Sequence, residues 1–477
     1  MMIAVKMGIW YNTDIICSAG KVTQMSSEKI SKTVIFEQMP VPAALARMAI
    51  PTIISQLITL IYNIADTWFI GQTDNPYMVA ASSLVLTVFL MTAAVSNLFG
   101  VGGGSLVVRL LGSHQEDEAR KVASWSLVMA GAAALLFSCV CLIFMNPLLR
   151  LLGASDNTIG YARQYLLLVV VIGGVPTVLS STMSAMLRNI GYSREAGFGL
   201  GLGGVLNVAL DPLFMFVLLP DGLEVVGAAA ATLLSNVVAF VYFILIYRRV
   251  RQDSVLALPR HIEKIQSKSM KSLFSVGIPA AMSLLLYDLT NMVINRLSSS
   301  HGDIELAAMG IVLKVERLPQ NIGIGICLGM VPLVAYNYAS KNHKRMRSIF
   351  YASGIAGVAV SVCSLIAYRN FAPWLIQLFI EDPATVVFGT EFLQIRCFAA
   401  LFMFLSFHMV HFMQAVDRGR ISLYLAMIRQ LCLNIPILFL MNWLLGMTGI
   451  VWTQTIADII NVVISYIIYH RVIKGIA

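Results

Sequence analysis

The sequence predicts an all-α membrane protein of twelve transmembrane helices in two pseudo-symmetric six-helix lobes. Three observations carry that expectation. Of 477 residues, 58% are hydrophobic and only 12% charged, with a mean hydropathy of +0.80. A soluble domain carries about twice that share of charge, so the surplus apolar surface faces lipid. Second, the apolar residues fall into runs long enough to cross a bilayer. Third, the second half of the chain repeats features of the first. The runs lack the short alternating segments of a barrel, so each span must satisfy its backbone as a helix.

Residues 1–40 are polar and mixed, with no long apolar core, and read as a flexible N-terminal cytoplasmic segment, neither signal peptide nor span. Met25 looks a more natural start than Met1, so the first 24 residues are expected to be poorly ordered. Apolar runs follow at about 42–70, 78–110, 121–147, 160–187, 196–219 and 225–247, giving a first lobe over 41–247. The stretch "YRRVRQDSVLALPRHIEKIQSKSMK" is the longest basic connection and supplies a linker at 248–270. The second lobe, 271–470, holds runs at about 271–297, 304–339, 346–368, 386–416, 421–443 and 447–469, and 471–477 form a tail.

Lysine and arginine set the orientation. Connections after even-numbered spans, together with the tail, hold twenty basic residues, from Arg109 to Lys474, against four (Arg150, Arg163, Arg296, Arg369) on the other side. By the positive-inside rule both termini are cytoplasmic, in a multi-pass protein of the inner (plasma) membrane. The net charge of +9 therefore reflects basic loops on one membrane face, and no nucleic-acid partner is expected. Six of the seven cysteines lie in apolar runs, with no metal or disulfide spacing, and read as small packing residues.

The internal repeat is visible in three places. "MAIPTIISQLITLIYNIAD" from Met48 aligns with "VGIPAAMSLLLYDLTNMVIN" from Val276, placing Pro51 on Pro279 and Asn63 on Asn291, 228 residues apart. Gly102 meets Gly329 at 227 and Arg194 meets Arg420 at 226. Six helices per half imply parallel repeats about an axis along the membrane normal, an arrangement in which transporters hold substrate between repeats.

Intramembrane charges are costly and mark functional sites by default. Asp66 sits in "LITLIYNIADTWFIGQ", one turn beyond Tyr62 and Asn63. Asp211 sits in "GLGLGGVLNVALDPLFMF", four residues after Asn207 and on the same helix face, and Pro212 follows at once. The glycines of that segment offer a smooth surface for close helix approach. On the next span Thr232 and Asn236 are again four apart. Two carboxylates, an amide, a phenol and a hydroxyl make a cation or proton site, because two buried acids cannot both ionise unpaired. In the second half the position matching Asp66 is Ile294, and the segment matching Asp211, "CLNIPILFL", has no acid. That half has its own polar set: Asp288, Lys314, Glu316 and Arg317, with Asn63 and Asn291 as repeat-related amides. A structural ion pair is the favoured reading: Glu316 with a neighbouring base, or Asp288 with Lys314 or Arg317. A second substrate or ion site is the alternative.

His408 and His411 read as packed or solvated residues, and the 25 methionines mostly as apolar filling. No metal site is expected beyond Na⁺ at Asp66 and Asp211. There is no GxxxxGK[ST] loop, and "GVGGGS" lies inside an apolar span, so energy is expected from an ion gradient, with no cofactor.

The segments "IPTIISQLITLIYNIADTWFIGQ", "NLFGVGGGSLVVRLLG", "LNVALDPLF" and "GAAAATLLSN" together resemble the MATE family, the multidrug and toxic compound extrusion transporters, over residues 40–470. The likeness is closest to its DNA-damage-inducible protein F branch. The resemblance implies a V-shaped fold and secondary active antiport: small organic, often cationic, compounds leave as H⁺ or Na⁺ enters, by alternating access. It implies a first-lobe coupling site at Tyr62, Asp66, Asn207, Asp211 and Thr232. Another branch uses acids on the seventh and tenth spans. Here the matching seventh-span position is Tyr287, with Asp288 next. A monomer in the lipid bilayer is expected. The alternatives are a flippase for a lipid-linked saccharide, which would line its cavity with bases such as Lys314, Arg317 and Arg396, and an intramembrane enzyme, for which no catalytic motif is present.

Overall fold

The computed structural model describes residues 33–73, 75–220, 222–258 and 264–476. The expectations for the first 24 residues, and for part of the basic linker, lie outside the described residues. Contacts divide the chain after Met39. The short helix α1, Thr33–Glu37, belongs to the first unit. The main body begins at Pro40.

In the main body, apolar runs become helices because each must pair its own N–H and C=O groups in lipid. Helix α2 is Val41–Gly71, α3 Pro76–Gly112 and α4 Glu116–Ile143, followed by the short α5, Met145–Leu151. Helix α6, Ile159–Leu166, runs into a π segment, Leu167–Ile172, and then α7, Gly174–Asn189. Helix α8, Ser193–Leu213, likewise ends in a π segment, Phe214–Leu218, before α9, Glu224–Val250. The second half comprises α10 (Ser267–Ser298), α11 (Asp303–Ala339), α12 (His343–Gln377), α13 (Pro383–Arg396), α14 (Ala399–Ala415), α15 (Gly419–Met427), a third π segment (Ile428–Asn434) and α16 (Ile435–Ile476). No strand occurs among the described residues.

Starts and breaks have local causes. Asn75 caps α3 by accepting from the Tyr77 amide at 3.0 Å, with Pro76 in the first turn, where its missing N–H costs nothing. Asn342 caps α12 through the Arg345 amide at 3.1 Å. Gly446, at φ 58, cuts α16 in two, a backbone region that glycine enters freely. Among the described residues nine helices are long and apolar enough to span a membrane. Two bent pairs, α6–α7 at 45° and α13–α14 at 48°, bring this to eleven, and the break at Gly446 makes twelve. The runs at 160–187 and 386–416, expected as simple spans, are therefore broken ones.

The halves meet through α2 against α11 and α3 against α10. Their closest approaches use glycine. A Cβ on Gly277 of α10 would collide with the Leu98 carbonyl oxygen on α3, and one on Gly329 of α11 would lie 2.7 Å from Ala49 Cα on α2. Only residues without a side chain allow backbones this close. A polar clasp closes the same end. Arg109 on α3 donates to Ser272 Oγ of α10 at 2.8 Å and to the Gln414 carbonyl of α14 at 3.4 Å, and pairs with Asp417 at 2.9 Å.

Toward the opposite end the same stripes become exposed. On α2, Ile61, Ile64 and Trp68 continue the face that carries Ala49 and Ile53, and Trp68 is 59% exposed. On α11, Lys314, Arg317 and Leu318 continue the face of Gly325 and Gly329 and are exposed. The close contacts between the halves thus gather at the end bearing the basic loops, and the same faces are exposed toward the other end.

Candidate functional site

Three helices of the first half build one polar pocket. Helix α2 supplies Tyr62 and Asp66, α8 supplies Asn207 and Asp211, and α9 supplies Thr232. The glycine run of α8 lets α2 close in: a Cβ on Gly204 would lie 2.8 Å from Ile58 Cγ2 and 3.1 Å from the Tyr62 ring. Asn207 Nδ2 donates to Asp211 Oδ1 and to Thr232 Oγ1, each at 3.2 Å. Asp211 is fully buried and Asn207 is 3% exposed. Asp66 lies near enough for its charge to act on Asp211.

The pocket is rich in acceptors and short of donors. Asp66 Oδ1, Asp211 Oδ2 and Asn207 Oδ1 are all buried with no hydrogen-bond partner among the described residues. A buried carboxylate oxygen left in this state costs about 1–3 kcal/mol or more, so the arrangement calls for a proton or a small cation. The three oxygens with Thr232 Oγ1 and the Tyr62 phenol form an all-oxygen donor set, the chemistry that suits a hard cation or H⁺. Pro212 and the π segment after it loosen the α8 backbone beside Asp211, and such π segments recur at functional sites.

The structure thus brings together all five residues expected for cation coupling. It adds Tyr165, on α6, buried within reach of Asp66 and Thr232 and in the field of Asp211. Nothing in the local sequence marks this tyrosine apart from those that merely pack.

The second polar set is not gathered in the same way. Glu316 does form an ion pair, but its partner is Arg396, eighty residues on: Nε and Nη2 fork onto its two oxygens at 2.8 Å each. Asp288 makes no ion pair among the described residues; Arg317 acts on it only through space. Lys314 and Arg317 are exposed on the face of α11 that carries Gly325 and Gly329. Asn63 turns back to the Thr59 carbonyl at 2.8 Å, and Asn291 is half-buried. Tyr287 donates to Gln320 at 3.2 Å.

A larger cluster, not singled out by the local sequence, lies beside this pair. Arg429, in the third π segment, donates through Nε and Nη2 to the two oxygens of Asp458 at 2.6 and 3.2 Å. Gln454 donates to Asp458 at 2.6 Å, Asn434 to Gln454 at 3.0 Å and to Gln430 at 3.2 Å, and Thr290 to Gln430 at 3.1 Å. Phe407 lies under the Arg429 guanidinium, 4.7 Å from ring centre to Cζ. Arg429 and Asp458 are mid-span charges, so the rule that selected Asp66 would have found them. His408 is a packing residue, stacked on Phe350 and hydrogen-bonded to Ser353 at 2.8 Å.

Two related bundles closed at one end, with an acceptor-rich carboxylate pair in one of them, define a membrane carrier of the two-repeat type. The chain belongs to the MatE family, whose profile matches it twice, over residues 51–213 and 279–440. It is 31% identical to the multidrug export protein MepA of Staphylococcus aureus (strain MRSA252) over 423 residues, 89% of this chain and 92% of that one. It is also 31% identical to MepA of Staphylococcus haemolyticus (strain JCSC1435), covering 91% and 94%. A multidrug resistance MATE family transporter of the MOP superfamily, solved in an outward-facing conformation, superposes with a TM-score of 0.87 at 21% identity, covering 94% of this chain and 99% of that one. A MOP superfamily transporter from Pyrococcus furiosus, described as having a binding pocket of reverse polarity, does so at 0.83 and 22%, again with 94% and 99% covered. Members of the family are transporters, and the twelve-helix fold expected from the sequence is the fold of these neighbours.

Proposed function

We propose that the protein exports small organic compounds across the plasma membrane in exchange for H⁺ or Na⁺ bound at Asp66 and Asp211. The MepA relatives are named as multidrug export proteins, which supports the substrate class. The observation that carries the coupling site is the trio of buried, partnerless oxygens on Asp66, Asp211 and Asn207. A cation entering there satisfies all three and cancels charge that is otherwise costly to bury.

Helix α2 links that event to the lobes. It carries Asp66 at one end of its buried face, and Ala49 and Ile53 against α11 at the other, with Pro51 between them. Proline omits one helical hydrogen bond, so α2 can change its bend there when the pocket takes or loses a cation. The cation shifts the balance between closed and open ends only by its different affinity for the two states. If the basic loops and both termini are cytoplasmic, closure at the basic-loop end corresponds to an outward-facing arrangement. The lobes would be 41–247 and 271–470, and the carrier a monomer. The flippase alternative loses Arg396 as a headgroup ligand, because Glu316 holds it.

Efflux of a fluorescent organic cation from proteoliposomes, under separately imposed pH and Na⁺ gradients, tests this reading. Asp66→Asn and Asp211→Asn should each abolish gradient-driven transport while leaving the melting profile folded. Wild-type coupling in either variant would overturn it.

A further inference from the structure

The two halves solve the same local problem in opposite ways. Asn207 and Asn434 are 227 residues apart, and each sits in a Leu-Asn pair of its half. Packing sets the register of the next helix independently. Gly227 lies against the Phe214 carbonyl, where a Cβ would come within 2.8 Å, and Gly449 lies in the same way against the Met441 carbonyl. Phe214 and Met441 are also 227 apart, whereas Gly227 and Gly449 are 222 apart, the connection in the second half being five residues shorter. On this register Thr232 corresponds to Gln454 and Asn236 to Asp458. The hydrogen bonds agree: Asn207 donates to Thr232 at 3.2 Å, and Asn434 to Gln454 at 3.0 Å.

Around that shared bond the charges differ. In the first half Asp211 has no cationic side chain beside it among the described residues, and the position matching Arg429 is Leu202. In the second half Leu438 stands where Asp211 would be, the acid has moved to Asp458, and the Arg429 guanidinium is bonded to both of its oxygens. Asp458 is fully buried, Arg429 is 3% exposed, and Gln454 completes the shell. Arg396, forked on Glu316, is the other charged pair within electrostatic reach of Asp458.

We propose that Arg429 is a tethered cation, permanently filling in the second half the cation site that the first half offers to a mobile ion. Asp458, Gln454 and Asn434 are then a latent site for H⁺ or Na⁺, masked by a side chain. This rests on the reading of Asp66 and Asp211 as the coupling site. It explains how duplicated halves coexist with a single coupling site. The interior of the second half keeps one electrostatic state through the cycle while that of the first changes.

The experiment removes the tether. Purified full-length Arg429→Met leaves Asp458 buried without its guanidinium. Cation binding is read by ²²Na⁺ scintillation proximity and, in sodium-free solution, by proton uptake. Thermal melting is followed against sodium concentration and pH. Arg429→Met should bind one cation per chain more than wild type, and its melting temperature should rise with that cation over a range where wild type stays flat. Arg429→Met/Asp458→Asn should return to the wild-type count and the flat profile. Equal binding and equal cation response in Arg429→Met and wild type would overturn the proposal, as would an added cation that persists in the double variant. A single variant that folds only with added cation supports it, and one that no cation rescues, while the double variant folds, counts against it. Asp66→Asn and Asp211→Asn test the first-half reading separately, since their loss of coupling does not depend on Arg429.

Discussion

Arg109 on α3 meets Asp417, at the end of α14, at 2.9 Å, and this ion pair ties the first half of the protein to the second. The same guanidinium holds Ser272 on α10, and Ser272 in turn donates to Asp417 at 2.8 Å. Arg109 is almost wholly buried, whereas Asp417 is 40% exposed, so the pair is partly screened by water. Charged hydrogen bonds of this kind contribute about 1.5–3 kcal/mol each at best. They exist only when this end is closed, so they bias the conformational equilibrium directly.

Arg109→Ala should therefore shift the balance toward the inward-open state by about ten- to a hundredfold, if about 1.5–3 kcal/mol of clasp is lost. Spin labels at Gln115, just before α4, and Lys344, in the first turn of α12, both exposed, report the shift as a longer distance population. Unchanged distances would show that the clasp does not set the balance. Asp417→Asn, which keeps the hydrogen bond to Ser272 but removes the charge, should shift less.

Tyr165 offers a test of the pocket that leaves both carboxylates in place. Its phenol lies within reach of Asp66 and Thr232. Tyr165→Phe removes the hydroxyl but keeps the ring that packs among α6, α9 and the π segment. A phenol aimed at a carboxylate favours its charged form, so losing it should tighten proton binding by up to about tenfold, or about 1.4 kcal/mol. The proton concentration for half-maximal efflux should fall accordingly, with little change in melting temperature. A large stability loss with unchanged ion dependence would make Tyr165 a packing residue only.

How far the sequence discloses this site follows from what each residue needs. Asp66, Asn207 and Asp211 are legible because a charge or amide in an apolar run has few structural uses, and because helical spacing puts Asn207 and Asp211 on one face. Tyr165 is not, since tyrosine is at home in an apolar helix and its role depends on how α6 packs against α3 and α9. Glu316 shows the same limit: its charge is visible in the sequence, but its partner Arg396 arrives from another helix. The spans themselves are legible from composition. The breaks at Gly446 and at the three π segments are not, because they depend on how neighbouring helices pack.

Outside the spans, Asp382 illustrates a pH effect with a definite sign. It caps α13, accepting from the Thr385 amide at 2.8 Å and from the Thr385 hydroxyl at 2.6 Å. Those bonds hold its carboxyl below the ordinary value of 3.8. A depressed folded value means the stabilisation is fully present above the unfolded value and is lost as pH falls through the folded one. Asp382→Ala should therefore melt earlier than wild type at neutral pH, and the two curves should converge below about pH 4. A difference that persists unchanged in acid would assign the effect to packing instead.

Gly277 gives the sharpest steric test of the closed end. A Cβ there would overlap the Leu98 carbonyl oxygen, a backbone atom that cannot rotate aside. Gly102 on α3 packs reciprocally, its Cβ position lying 2.7 Å from the Leu273 carbonyl and 2.8 Å from Gly277 Cα. The α3–α10 contact is thus built at backbone distance on both sides, and even one methyl group must push the helices apart. Gly277→Ala should hold the basic-loop end ajar, lengthen the Gln115–Lys344 label distance, and slow efflux several-fold while leaving cation binding at Asp66 and Asp211 near wild type. Because the half-bundles need not change internally, the variant should fold. The outcome against this account is wild-type efflux with an unchanged distance distribution, which would mean that closure of this end tolerates a gap where the structure shows none.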